Sequence, residues 1–273
     1  MIGAVATRLG LRRWSGLDVL DALVPRRGYR AETDLAYGDG PRRRLDVYRP
    51  IDAGASSPVI VFFYGGNWEA GARAHYRFVG QSFARQGFVT VVPDYRLYPE
   101  VRYPAFVEDA AAAVVWTVNR ITRLGGDPTR IVLAGHSAGA HSALMLALNP
   151  GFLGATRMAL AGAAGLAGPY DFVPEGRNRD ILAVDAGGPS AMPIDYVDGV
   201  APPVLLLTGD ADTVVKPANS ARLAARIRAR GGTVRLVEYR GVGHAKIIAA
   251  LASPLSWLLP VRRDVAAFAA DPR

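Results

Sequence analysis

Apolar positions along the chain fall into short runs separated by helical patterns, in regular alternation. The earliest pattern is Ser15 to Val24, where Leu17, Leu20, Leu23 and Val24 recur at helical spacing before Pro25, which cannot continue a helix. Arg44 to Arg49 alternates like a half-buried strand. Pro58 to Tyr64 is a continuous β-branched and aromatic run, as expected of a strand covered on both faces. Arg73 to Gln86 reads as a helix and Phe88 to Val92 as a buried strand. Pro104 to Leu124 reads as a long helix, with proline at its start and Gly125-Gly126 closing it. Arg130 to Ala134 is the next strand, Ala138 to Leu148 a helix and Met158 to Ala164 a strand. Residues 173 to 201 are rich in Gly, Pro and Asp and show little periodicity. Beyond them come a strand at Val204 to Thr208, a helix at Pro217 to Arg230 and a strand at Thr233 to Tyr239, with helical segments finishing the chain.

Strands alternating with helices predict an α/β fold, a mainly parallel sheet flanked by helices on both faces. The expected organisation is one domain over residues 31–273, preceded by a helical segment, 1–30, that packs on its core. A short lid is expected at about 173–201. In such sheets active sites gather beyond the carboxyl ends of the strands. The loops to inspect therefore begin near Tyr64, Gly135, Gly165, Gly209 and Tyr239.

Composition narrows the chemistry. The 273 residues, 50% apolar and 21% charged, are ordinary for a folded domain with a substantial core. The absence of cysteine excludes disulfides, thiolate catalysis and thiolate metal sites. Four histidines without metal-ligand spacing point to no metal, and no cofactor motif is present. The net charge of +8 comes from 32 basic residues, of which only Lys216 and Lys246 are lysine. The arginines are scattered and do not interleave with aromatics, so no nucleic-acid partner is expected. Met1 to Leu11 is mildly apolar but carries Arg8, with Arg12 and Arg13 following, and is not a secretory signal. No run is long enough to span a bilayer, so a cytoplasmic protein without integral membrane association is expected. A homodimer is left open.

Gly135-His136-Ser137-Ala138-Gly139 directly follows one buried strand and directly precedes a helix. In that context Gly-x-Ser-x-Gly describes a tight, strained turn that lifts the serine hydroxyl out of the sheet. It also puts the Ala138 N–H at a helix start, where the dipole favours negative charge. Ser137 is therefore the candidate nucleophile. His244, in a Gly-flanked loop after the last strand, is the candidate base; the other histidines read as structural. Of two aspartates after the Val204 to Thr208 strand, Asp212 lies deeper in its loop and is preferred as the orienting carboxylate, with Asp210 expected to cap that loop. In Tyr64-Gly65-Gly66-Asn67-Trp68 the glycines permit close backbone approach, so Gly66, Asn67 and Ala138 are the expected oxyanion donors. Gly65, Trp68 and His136 adjoin them as candidates for touching substrate, a core position being the alternative for Trp68.

With these residues in hand, the chain resembles the α/β-hydrolase superfamily, and within it the carboxylesterase branch related to hormone-sensitive lipase and arylformamidase (kynurenine formamidase). The resemblance runs from about Leu45 to about His244. It rests on Gly65 to Trp68, Asp94-Tyr95-Arg96-Leu97, the Gly135 to Gly139 turn, and the Asp212 and His244 loops. It implies an α/β-hydrolase fold, a triad in the order Ser137, Asp212, His244, and hydrolysis of small-molecule esters, with formamidase or aryl amidase activity as the alternative. Asp94 to Leu97 reads as scaffolding. One departure is Tyr64, where the family's oxyanion loop often begins with histidine. The short segment from Val173 to Ala201, where relatives carry a cap, implies short acyl groups. Phe172, Ile181, Leu182 and Met192 are candidates to line the pocket. A binding protein that has lost catalysis is disfavoured, because serine, histidine and oxyanion glycines are all retained.

Overall fold

The computed structural model describes residues 16–52, 54 and 56–272; the N-terminal stretch Met1 to Leu11 and Ser15 lie outside the described residues. Eight strands form one sheet: β1 (Arg30–Ala36), β2 (Arg44–Arg49), β3 (Ser57–Phe63), β4 (Val89–Pro93), β5 (Gly126–His136), β6 (Leu160–Leu166), β7 (Val204–Gly209) and β8 (Val234–Tyr239). Their spatial order is β1-β2-β4-β3-β5-β6-β7-β8. The pairings of β2 with β1 and with β4 are antiparallel, and all others are parallel. The helices are α1 (Gly16–Leu23), α2 (Arg77–Ala84), α3 (Ala105–Arg120), α4 (Ala138–Leu148), α5 (Pro150–Leu153), α6 (Arg177–Ile181), α7 (Ala218–Ala229), α8 (His244–Ala249) and α9 (Val261–Ala270).

The continuous apolar run of β3 is buried from Val59 through Phe63, as a strand covered on both sides requires. Two glycines of β6 show what covers it. A side chain at Gly162 would strike Phe268 of α9, whereas one at Gly165 would strike Leu144 of α4. Positions three apart on a strand face opposite ways, so α9 and α4 cover opposite faces.

Several elements differ from the sequence reading: the strand expected from Arg130 begins at Gly126, and the helix expected to reach Leu124 ends at Arg120 in a 3₁₀ turn over Ile121–Leu124. The strand β1 has no apolar alternation, because it is an edge strand with no buried residue. It is held by pairing with β2 and by Arg49–Glu32 (3.1 Å) and Arg44–Asp34 (3.1 Å) bridges, and its charges discourage pairing with another chain. The helix expected at Arg73 to Gln86 opens with a tight 3₁₀ turn over Arg73–Tyr76, where the Arg73 N–H donates to the Asp94 carboxylate at 2.7 Å. The strand expected from Met158 starts at Leu160, and Met158 lies exposed on the preceding 3₁₀ turn.

The 173–201 segment holds α6 and two 3₁₀ turns. It is fastened on several sides. Tyr103 donates its N–H to the Ile181 carbonyl and its hydroxyl to the Ser190 carbonyl, both at 2.9 Å. Asp180 takes Arg102 at 2.9 Å and the Tyr98 hydroxyl, and Arg177 pairs with Glu69 at 2.5 Å. From below, His141 on α4 donates Nε2–H to the Ala191 carbonyl at 2.6 Å. Among the described residues, no helix is long and apolar enough to cross a membrane.

His141 is fully buried, and burial lowers its pKa from 6.5 to about 4. It stays neutral in the folded state while the unfolded chain binds a proton below about pH 6.5. Its contribution is thus complete above that pH and is lost as pH falls toward 4, at about 1.4 kcal/mol per unit in the steep part. His141→Phe, which cannot titrate, should shed that slope in urea unfolding between pH 7 and 4.5. Equal slopes in both proteins would place the acid sensitivity elsewhere.

Candidate active site

The turn between β5 and α4 is dictated by space. A Cβ on Gly135 would lie 2.3 Å from the Gly139 carbonyl oxygen, and one on Gly139 would lie 2.1 Å from the Phe63 carbonyl oxygen. Only glycines allow α4 to begin so close to the ends of β5 and β3. Ser137 makes the reversal alone, at φ 55° and ψ −124°, a conformation that costs a non-glycine residue about 1–3 kcal/mol. It is pinned there by its N–H donating to the Leu166 carbonyl at 2.9 Å. Ala138, the next residue, opens α4 and is buried.

The loops after β7 and β8 are zipped together. Asp210 N–H donates to the Tyr239 carbonyl and Ala211 N–H to the Val242 carbonyl, both at 3.2 Å. A Cβ on Gly209 would meet that Val242 carbonyl at 2.0 Å, so the approach needs glycine. This zipper brings Asp212 to His244, whose Nδ1 is 2.8 Å from Asp212 Oδ2. The other carboxylate oxygen accepts the N–H groups of Val214 and Val215, each at 2.9 Å. A carboxylate so placed accepts, so Nδ1 carries the proton and Nε2 is left as an acceptor. The Asp212 side chain is wholly buried. Asp210 instead accepts from Gly241 N–H at 2.6 Å and stays exposed, away from His244.

The loop after β3 leaves a fully buried Tyr64 and passes directly over the elbow. A Cβ on Gly65 would sit 2.9 Å from Ser137 Cβ. Gly66 (φ 132°), Asn67 (φ 53°) and Trp68 (φ 57°) follow in left-handed conformations. The Gly66 and Asn67 N–H groups donate to no acceptor among the described residues, and both residues are exposed. Trp68, expected beside substrate, is 2% exposed and packs on Phe106 and edge-on to His141. Gly65 and His136, the other two candidates for touching substrate, are also buried. His136 donates Nε2–H to the His244 carbonyl at 3.1 Å, and burial, then the nearby His244, lowers its pKa from 6.5 to about 3.

Tyr64 shapes this loop through a network whose other members, apart from Asp94 and Tyr95, lay in no motif of the sequence. Its ring stacks between Tyr76 and Tyr95 and against Gly71, at the far end of the loop. Its hydroxyl donates to Asp94 Oδ1 and accepts from Arg42, both at 2.7 Å, and burial pushes its pKa well up. Arg42 also donates to the Gly71 carbonyl at 2.9 Å, while Tyr95 hydroxyl donates to the Tyr64 carbonyl at 2.7 Å. Arg73 then joins Asp94 to Asp46 and Asp34. The arginines belong to no motif, so nothing in the sequence marks them.

Of the residues named as pocket-lining, Ile181 and Leu182 are buried and Phe172 and Met192 half-buried. A groove of about 460 Å³ between α3, α5 and Pro189 is lined by Tyr103, Glu108 and Phe152 and by none of Ser137, Asp212 and His244. Among the described residues, no group of three or more His, Asp or Glu could hold a metal ion.

Known proteins were compared with the chain. The prolyl oligopeptidase family model matches residues 105–261, and the BD-FAE model matches residues 45–159. An isoprenylcysteine alpha-carbonyl methylesterase of Arabidopsis thaliana is 31% identical over 78% of this chain and 56% of its own. Esterase LipQ of Mycobacterium tuberculosis is 32% identical over 83% of this chain and 60% of its own. The chain thus spans less than two thirds of the length of these curated relatives. Among solved structures, a propionate-bound thermophilic esterase of Thermogutta terrifontis superposes with TM-score 0.67 at 26% identity, covering 81% of this chain and 86% of that one. The chain belongs to the prolyl oligopeptidase family of the α/β-hydrolase superfamily, with esterases as its relatives over most of its length.

Proposed function

We propose that this protein is a serine hydrolase of short-chain carboxylic esters. The observation that carries the reading is the Asp212–His244 contact at 2.8 Å beside the strained Ser137 elbow. In this reading His244 Nε2 takes the Ser137 hydroxyl proton as Oγ attacks the ester carbonyl. The oxyanion develops against the N–H groups of Gly66, Asn67 and Ala138. Collapse breaks the bond to the alcohol, which leaves with the proton from His244, and the acyl group stays on Ser137. Water, deprotonated by the same imidazole, then attacks the acyl-enzyme and releases the acid. Asp212 keeps its hydrogen bond to Nδ1 throughout, holding the tautomer and stabilising the imidazolium.

Support for small acyl groups comes from the fastened lid. Its own Ile181 and Leu182 are turned inward and buried, and Trp68 and Phe106 pack together beneath the oxyanion loop. The propionate bound by the Thermogutta esterase also supports a small acyl group.

Ser137→Ala should lower p-nitrophenyl acetate hydrolysis by about three orders of magnitude or more while leaving the melting temperature unchanged, since alanine bears the same backbone strain. Wild-type turnover by that variant would refute the assignment. Across p-nitrophenyl esters, kcat/KM should peak at two to four acyl carbons, on the order of tenfold above a twelve-carbon ester; a stronger rate on N-formylkynurenine would redirect the reading to a formamidase.

The two aspartates separate cleanly in the same assay. Asp212→Asn should cost about 10³-fold in kcat, through the wrong tautomer of His244, whereas Asp210→Asn should keep activity within about threefold. The reverse ranking would move the acid to Asp210.

Tyr64→Phe keeps the stacked ring but strips a partner from each of Asp94 and Arg42. It should destabilise by about 1–3 kcal/mol in urea unfolding and lower kcat more than it raises KM. An unchanged unfolding curve would show that the hydroxyl does not hold the loop.

A further inference from the structure

The geometry points to His136 as a positioning residue that fixes the base loop, through the backbone of His244, at a set distance from both Ser137 and the oxyanion loop. The inference rests on the serine-hydrolase reading above. His136 is the last residue of β5 and immediately precedes the strained Ser137. Its Nε2 lies 3.1 Å from the His244 carbonyl, and a carbonyl only accepts, so Nε2 must carry the proton. The two imidazoles lie 4.6 Å apart, tilted by 43°. On its other side, a Cβ on Gly65 would lie 3.2 Å from His136 Nδ1 and 3.0 Å from its carbonyl oxygen. One buried ring therefore touches the base loop and the oxyanion loop at once.

This bond holds the His244 backbone, whereas Asp212 holds the His244 ring. Asp212 alone leaves the imidazole free to pivot with its loop, and a misplacement of about 1 Å is enough to cost on the order of 10²-fold in rate. Neutrality is part of the role. His244 and Asp212 are the titratable groups that interact with His136, and a second cation at 4.6 Å would oppose the imidazolium that forms on His244 during attack. Burial keeps His136 uncharged across the working range, so its N–H donates without that penalty.

The test is kinetic. His136→Phe keeps a buried ring but removes the donor, and should lower kcat for p-nitrophenyl acetate about 10- to 100-fold with KM within about twofold. His136→Gln restores an N–H and should return kcat to within about threefold of wild type. In a His244→Ala background, His136→Phe should cost nothing further, because it acts through a base that is gone. Wild-type kcat in the phenylalanine variant, failure of glutamine to rescue, or an equal loss without His244 would each overturn the proposal. Should the phenylalanine variant not fold, ¹⁵N histidine spectra of the unmodified protein decide: a neutral, Nε2-protonated His136 between pH 5 and 8 is expected, and a charged or Nδ1-protonated ring overturns it. Activity persisting in Ser137→Ala would instead bring down the parent reading, whatever the His136 variants do.

Discussion

The approach of the first turn of α4 to the end of β3 is the constraint on which the site depends. At Gly139 the helix backbone comes so close to the Phe63 and Tyr64 carbonyls that no side chain fits between them. The chain leaving β5 therefore has a single residue in which to reverse, and Ser137 adopts a conformation that no other part of the turn relieves. A cost of about 1–3 kcal/mol is tolerable because the elements that impose it are themselves deeply buried. Val59 to Phe63, Ile131 to Ala134 and Leu144 to Leu148 are all fully buried, and each large apolar side chain among them contributes about 1.5–3 kcal/mol. The core holds the strain in place, and the strain lifts the hydroxyl clear of the sheet.

The same close approach organises the two neighbouring loops. Gly65 runs over Ser137 with no room for a Cβ, so the loop after β3 takes its position from the elbow. On the other side, the β7 and β8 loops are joined by main-chain hydrogen bonds that involve no side chain. Asp212 and His244 meet because their loops are stitched together, and Asp210 is spent on the stitching. Both carboxylate oxygens of Asp212 are engaged, one by two main-chain N–H groups and one by His244, so it has a single usable orientation.

Much of this was legible in the chain. The continuous run at Val59 to Phe63 marked a doubly covered strand, and Gly135 to Gly139 marked a turn, because both signals come from local sterics and local burial. The choice between Asp210 and Asp212 was legible only as a depth argument, since what separates them is a hydrogen bond to a residue 32 positions further on. β1 was invisible: an edge strand has no buried face to write a period-two pattern. Trp68 misled for a related reason. An aromatic after a glycine loop looks the same whether it turns toward a ligand or inward, and left-handed backbone at Asn67 and Trp68 turns it inward onto Phe106.

The arginine excess is the feature whose meaning changed most. As a composition it invites a partner of opposite charge. In place, Arg43 and Arg96 converge on the fully buried Asp109, Arg73 joins Asp34, Asp46 and Asp94, and Arg77 reaches Asp21 of α1. A guanidinium offers five donors in a rigid plane, so one side chain can bind several acceptors at fixed angles where an ammonium would act as a point charge. Those links tie α1, β1, β2 and the segment after β4 to the base of the loop after β3. Two buried carboxylates, Asp94 and Asp109, are thereby fully paired and hydrogen-bonded, as burial of such groups requires. Tyr64 then closes the arrangement: it brings a ring for Tyr76 and Tyr95 to clasp and a hydroxyl for Asp94 and Arg42. The tyrosine and the surrounding arginines thereby form one interdependent network that holds the loop after β3.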